Sequence, residues 1–157
     1  MTFSFRPGTY QDVGAMFELD RLCFDEPFAF DKMTFRHLMR SRGTISVVAE
    51  GADGVPAGFA ILKKESLTAT CLYTIDVHPK LRRKGLGKEL LTRALKSARG
   101  KGLFKTYLQV YVENDAAIAF YLGFGYRIEG RLPDFYASGA DALLMSLEIQ
   151  FPAEIFS

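Results

Sequence analysis

The stretch from Thr44 to Ala98 constrains the fold more than any other part of the chain. Three β-rich segments follow one another: "TISVVAE" (44–50), "FAILKKE" (59–65) and "TCLYTIDV" (70–77). The first two are separated by "GADGVPAG" (51–58), a Gly/Asp turn that predicts a hairpin. The third runs into a segment with apolar residues at Leu90, Leu91, Ala94, Leu95 and Ala98, the stripe of a helix packed on a sheet, ended by Gly100 and Gly102. On the N-terminal side, "TFSFR" (2–6) alternates as a short strand stopped by Pro7-Gly8. A helix starting near Thr9 or Asp12 carries Val13, Met16, Phe17, Leu19, Asp20 and Leu22, and Asp31 caps a second helix through about Arg40. On the C-terminal side come a strand in "LFKTYLQVYV" (103–112), a short helix in 114–124, strands in 125–130 and 141–149, and a short apolar tail.

The predicted order is therefore β-α-α-β-β-β-α-β-α-β-β. This is an α/β (α+β) pattern: a mixed, mostly antiparallel central sheet flanked by helices. A chain of 157 residues without repeats or linkers is expected to form a single domain over 1–157.

Between the third central strand and its helix lies "HPKLRRKGLGKELL" (78–91), with five basic side chains and two glycines. The net charge of the chain is only +2, so this concentration is local. A dinucleotide fingerprint needs a third glycine where Leu90 stands, and a Walker loop needs a glycine at Arg82 and Ser or Thr at Glu89. Both fail. What remains is a basic loop in which Gly85 and Gly87 leave backbone N–H groups uncovered at a helix N-terminus, a setting suited to a pyrophosphate. A solvated glycine turn is the alternative. Asn114 opens the next helix, and Tyr121 lies two turns on along the same face. An N-cap and a core aromatic are the plain readings of these two residues.

Cys23, Cys71, His37 and His78 have no metal-site spacing, and no metal is expected. The cysteines suit a reducing compartment. No apolar run reaches membrane-span length, and the first residues lack a signal-peptide core, so a cytoplasmic location without a membrane partner is expected. Basic residues do not extend in a stripe, which speaks against a nucleic-acid module.

Taken together, "IDVHPKLRRKGLGKELL", "LQVYVENDAAIAFYLGFGYRIEG" and "FYASGADALLM" resemble the GCN5-related N-acetyltransferases, in particular the branch that acetylates the N-terminal alanine of a ribosomal protein. The resemblance is strong from Thr74 to Met145 and weaker but order-consistent from Phe3 to Thr70. It implies acetyl-CoA as cosubstrate. The family's Arg-x-x-Gly-x-Gly pattern falls on Arg82, Gly85 and Gly87, so that N–H groups from Arg83 through Lys84, Gly85, Leu86 and Gly87 to Lys88 would hold the pyrophosphate. Ile75, Asp76 and Val77 would run along the pantetheine arm, with the Val77 N–H stabilising the oxyanion. Asn114 would bind the pantetheine, and Tyr121 would protonate the leaving thiolate.

One position departs from that branch. Its glutamate base lies in a "Leu-Glu-Val" triplet, whereas this chain reads "LQV" with Gln109. Glutamine accepts no proton at neutral pH. On strand alternation Tyr111 and Glu113 share the Gln109 face, and Asp76 sits on the preceding central strand; Asp76 and Glu113 are the candidate bases. The acceptor groove implied by the resemblance lies between "CFDEPFAF" (23–30) and "RLPDFYASGAD" (131–141), with Glu26, Phe28 and Tyr136 as candidate substrate contacts and Asp25, Asp134 and Asp141 adding acidity. The expected acceptor is a protein or peptide N-terminal α-amine. A small-molecule amine is the alternative, and a non-catalytic CoA-binding sensor is less favoured because Tyr121 is present. Either a monomer or a homodimer is compatible with the sequence.

Overall fold

The computed structural model describes residues 2–150; the predicted apolar tail lies outside the described residues. Strands are β1 (Ser4–Arg6), β2 (Thr44–Glu50), β3 (Pro56–Lys64), β4 (Ala69–Val77), β5 (Lys105–Tyr111), β6 (Arg127–Leu132) and β7 (Ala142–Glu148). Helices are α1 (Val13–Cys23), α2 (Lys32–Arg40), α3 (Leu86–Gly100) and α4 (Asp115–Phe124), with 3-10 turns at Tyr10–Asp12 and Pro79–Leu81. The order matches the expectation. The strands form one seven-stranded sheet, β1-β2-β3-β4-β5-β7-β6, in which only β4 and β5 pair in parallel.

Both faces of the sheet are covered. The stripe Leu86, Leu90, Leu91, Ala94, Leu95 and Ala98 packs with Ala60, Leu62, Leu72, Leu108 and Met145 on one face, and α4 adds Ile118, Phe120 and Tyr121 there. On the other face α1 and α2 bring Met16, Leu19, Phe35 and Leu38 onto Val48, Phe59 and Ile61. Two caps set the helix starts. Thr9 N–H donates to the Asp12 carboxylate at 2.7 Å, and Asp31 accepts from the Thr34 N–H at 2.7 Å. Asp12 is also held by Arg6, which keeps its carboxyl below the ordinary range.

Three local features were not expected. β3 begins at Pro56, inside the stretch read as a turn; a first strand position suits proline, which has no N–H to donate. β5 ends at Tyr111, so strand alternation does not carry on to Glu113. The most consequential feature is in β4. Ile61 pairs with Thr74 and Leu62 with Leu72, which leaves Tyr73 as an extra residue in a bulge. The bulge reverses the facing of the strand: Leu72 before it and Ile75 and Val77 after it all pack on the α3 side, while Tyr73 packs on the α1/α2 side.

Gly58, opposite Val77, permits β3 to approach this strand closely. A Cβ there would lie 2.6 Å from the Asp76 carbonyl oxygen and 3.1 Å from Leu90. Because the obstacle is backbone, Gly58→Ala is expected to destabilise the fold by about 1–3 kcal/mol, read as a lower denaturant midpoint.

Candidate active site

The parallel pairing of β4 with β5 covers only Ala69–Cys71 against Lys105–Tyr107. Beyond it the strands part, and β5 continues its ladder with β7 instead. His78 N–H donates to the Ala57 carbonyl at 2.9 Å, and antiparallel residues alternate in direction. Asp76 and Thr74 therefore turn their backbone groups to β3, and Ile75 and Val77 turn theirs to the parted edge. The Val77 carbonyl there accepts from Cys23 Sγ and Arg82 Nε, each at 3.3 Å. Its N–H is aimed into the gap between the strands.

That gap is part of a cleft of about 1370 Å³. One wall carries Ile75 and Val77, and the opposite wall Gln109, Asn114, Phe120 and Tyr121. At one end lies the start of α3. Gly85 is its N-cap in the left-handed region, with φ 80°, and Arg83 before it also has positive φ, 63°. Glycine takes this conformation without a Cβ penalty. The first helical bond runs from Glu89 N–H to Gly85 O at 3.1 Å. The N–H groups of Leu86, Gly87 and Lys88 therefore have no carbonyl in a preceding turn to bond. They leave the helix end as donors, beside the guanidinium groups of Arg82 and Arg83 and the Lys88 ammonium on the cleft wall. A Cβ on Gly87 would meet only ordinary contacts, 3.6–3.7 Å, with Phe120 and Val77. The fold itself therefore does not require glycine at 87.

Asn114 caps α4 by accepting the Ala117 N–H on Oδ1 at 3.2 Å, and it lines the cleft as well. The plain capping reading of this residue is correct, and its Nδ2 stays available as a donor to a ligand carbonyl. Tyr121 lies edge-on between Phe120 and Tyr126, with centroids at 5.4 and 5.5 Å. Burial, followed by the neighbouring acidic groups Tyr126, Asp76 and Tyr136, pushes its phenol well above the ordinary tyrosine value. It keeps its proton throughout the physiological range. At the other end of the cleft Phe28 stacks on Tyr111 at 4.6 Å, with Tyr136 edge-on to Phe28 at 4.9 Å. This aromatic end joins the first of the two loops expected to bear the acceptor to the second.

Four of the expected site residues stand elsewhere. Lys84 is exposed and does not line the cleft. Glu26 is exposed and pairs with Arg21 at 3.1 Å. Glu113 lies past the end of β5, hydrogen-bonded by the Tyr111 hydroxyl, in a shallow depression with Arg131 and Asp141. Asp76 is fully buried, and its side chain is directed to the α1 face, where it meets Asp20 and the Thr74 hydroxyl. Neither candidate base therefore faces the gap. Gln109 does, with Cys71 Sγ 3.7 Å from its Oε1; burial and the charge of Glu65 push the Cys71 thiol up to about 12. Of the expected acidic rim only Asp25 lines the cleft; Asp141 is tied to Arg131 and to the Asp134 N–H. Asp20, Cys23 and Tyr73 were not foreseen at the site. For Asp20 there was a signal, a carboxylate within the apolar stripe of α1.

A sheet opened beside its only parallel pair, with a glycine-capped helix N-terminus at the mouth and a protonated tyrosine across the gap, is an acyl-transferase scaffold. The chain belongs to the acetyltransferase (GNAT) family, whose family model matches residues 13–126. It is 34% identical over 146 residues to the Mycobacterium leprae protein called uncharacterized protein ML0378, covering 90% of this chain and 40% of that protein. It is 35% identical over 102 residues to N-alpha-acetyltransferase RimI of Mycobacterium tuberculosis, covering 62% of this chain and 63% of the relative. The chain thus spans less than two thirds of the length of these two curated relatives. The crystal structure of the ribosomal-protein-S18-alanine N-acetyltransferase from Escherichia coli superposes with a TM-score of 0.83 at 25% identity, covering 98% of this chain and 97% of that one. Among the described residues no helix is long and apolar enough to cross a membrane, and no cluster of His, Cys, Asp and Glu could hold a metal ion.

Proposed function

We propose that this protein transfers the acetyl group of acetyl-CoA directly to an amine, with a protein or peptide N-terminal α-amine as the preferred acceptor. The observation that carries the reading is the parted β4/β5 edge, which aims the Val77 N–H at the wall bearing Tyr121. The pyrophosphate of acetyl-CoA fits the donors of Leu86, Gly87 and Lys88, and the pantetheine amides fit the gap beside Ile75 and Asn114. In the reaction the amine nitrogen bonds to the acetyl carbonyl carbon, and the Val77 N–H stabilises the charge that develops on the carbonyl oxygen. The C–S bond breaks, Tyr121 gives its proton to the departing sulfur, and the amine nitrogen loses one proton to water, from which the Tyr121 oxygen is reprotonated. The names of the Mycobacterium tuberculosis and Escherichia coli relatives support an N-terminal acceptor. A small amine is a second reading, favoured by the rings of Phe28, Tyr111 and Tyr136, which narrow the acceptor end. The free thiols of Cys23 and Cys71 suit a cytoplasmic protein.

Gly87→Val tests the phosphate cradle. A Cβ at 87 meets only ordinary contacts, and the branched side chain would cover the helix N-terminus, so acetyl-CoA affinity should fall at least ~10-fold with a near-normal melting curve. Unchanged affinity in titration calorimetry would remove the cradle assignment. Release of CoA on challenge with N-terminal peptides, and in parallel with small amines, then selects the acceptor class.

A further inference from the structure

Asp20 of α1 and Asp76 of β4 are 1% and 0% exposed, and their carboxyls lie within hydrogen-bonding reach of each other. Each has its other oxygen occupied. Asp20 Oδ2 accepts the Phe30 N–H at 2.7 Å, and Asp76 Oδ1 accepts the Thr74 hydroxyl. The two that remain, Asp20 Oδ1 and Asp76 Oδ2, are buried and have no hydrogen-bond partner. Two carboxylates cannot satisfy each other, because neither has a donor, and burial penalises two adjacent negative charges. One proton between them solves both problems.

We infer that Asp20 and Asp76 share a single proton, and that this carboxyl pair is the clasp holding the acceptor loop, through the Phe30 N–H, to the strand that presents Val77. Its position supports that role. Asp76 immediately precedes Val77, and Phe30 closes the loop whose Phe28 forms the aromatic end of the cleft. The bulge at Tyr73 is what turns Asp76 toward α1 at all. The charged and titratable groups whose fields reach the pair are Arg21 and Cys23 from α1, Arg82 from the following loop and Tyr121 from α4; Thr74 of β4 donates to it, and from β3 the apolar Phe59 pairs with Asp76. Arg82 and Arg21 favour the single remaining charge, and none of these groups replaces the shared proton. Asp20 and Asp76 are thus positioning residues.

A linkage follows. In the unfolded chain both aspartates lose their protons near pH 4, whereas the folded pair keeps one to higher pH. Folding above about pH 4 therefore takes up about one proton for as long as the pair holds it, and stability falls as pH rises until the pair ionises. Ionisation would separate the carboxyls and release the loop. Within the acetyl-transfer reading on which this last step rests, kcat/KM acquires a falling alkaline limb.

The test compares wild type with Asp20→Asn, Asp76→Asn and Asp20→Ala by denaturant unfolding across pH 5 to pH 9, a range set by the carboxylate and amine values. In either asparagine variant an amide N–H takes the place of the shared proton. Proton uptake should then vanish, and unfolding midpoints should lose the slope seen in wild type. Amide exchange at Phe30 should stay slow in Asp20→Asn and become at least ~10-fold faster in Asp20→Ala, which has no acceptor. Both readouts need no acetyl-CoA, so they stand even if the acetyl-transfer reading fails. With an acceptor in hand, the alkaline limb should be present in wild type and absent in Asp20→Asn. Superimposable midpoint-versus-pH curves for wild type and both asparagine variants would overturn the shared proton. Equal Phe30 protection in Asp20→Ala and wild type would overturn the clasp. If the alanine variant does not fold, the asparagine comparison decides the matter alone.

Discussion

Tyr121→Phe should lower kcat by about 10- to 100-fold while leaving the acetyl-CoA dissociation constant nearly unchanged. The ring would keep its contacts with Phe120 and Tyr126, so the packing of α4 on the sheet is retained. What is lost is a proton held on an unusually reluctant acid. Its burial and the nearby groups Tyr126, Asp76 and Tyr136 all disfavour a phenolate. Such a phenol is fully protonated at rest, so a proton donor to the sulfur is always in place as the C–S bond opens. A thiolate is already a fair leaving group, which is why the expected loss is smaller than for an alkoxide or amide anion. Burst kinetics would separate the chemical step from product release. A variant with wild-type turnover in the chemical step would mean that the sulfur leaves unassisted or is protonated from elsewhere.

The parts of this site that were readable from the sequence are those defined by short-range chemistry. Gly85 and Gly87 ahead of an apolar stripe mark a helix N-terminus, and Asn114 with Tyr121 marks one face of the next helix. Their roles depend only on residues a few positions away. The misplaced residues depended on something longer in range. "TCLYTIDV" reads as an uninterrupted strand, and nothing in its composition reports the extra residue that the pairing with β3 inserts at Tyr73. That one-residue offset decides which side Asp76 faces, and so decides that it meets Asp20 instead of the cleft. Glu113 was placed by an alternation that stops two residues earlier, because the chain turns at Val112 to start α4. Asp20 was visible as a carboxylate among apolar neighbours, but its partner could be identified only after α1 and β4 were brought together.

The absence of a carboxylate facing the gap from β5 makes Gln109→Glu the most informative substitution in the protein. With neither Asp76 nor Glu113 lining the cleft, neither expected base is in place to take the proton, and an acceptor that arrives as a free amine needs none. An N-terminal α-amine has an ordinary pKa of about 8, so a tenth or so is free at neutrality; a lysine amine, near 10.4, is almost wholly protonated. For an α-amine acceptor, kcat/KM in the wild type should therefore rise with pH up to about 8, the pKa of the substrate itself, until ionisation of the Asp20–Asp76 pair brings the falling limb. The position of that rise should follow the acceptor when peptides of different amine pKa are compared. Glutamate at 109 would add a proton acceptor on the wall of the gap, although the nearby Cys71 thiol, held protonated, can satisfy one of its oxygens. The rising limb should then move to lower pH, and activity at neutrality should increase several-fold, roughly in proportion to the larger fraction of amine that is deprotonated in the complex. The limb would also cease to follow the acceptor, because the titrating group would now belong to the enzyme. If Gln109→Glu leaves the profile in place, residue 109 does not reach the amine. An acceptor bound deeper among Phe28, Tyr111 and Tyr136 would then be the better geometry, and a small amine the better substrate.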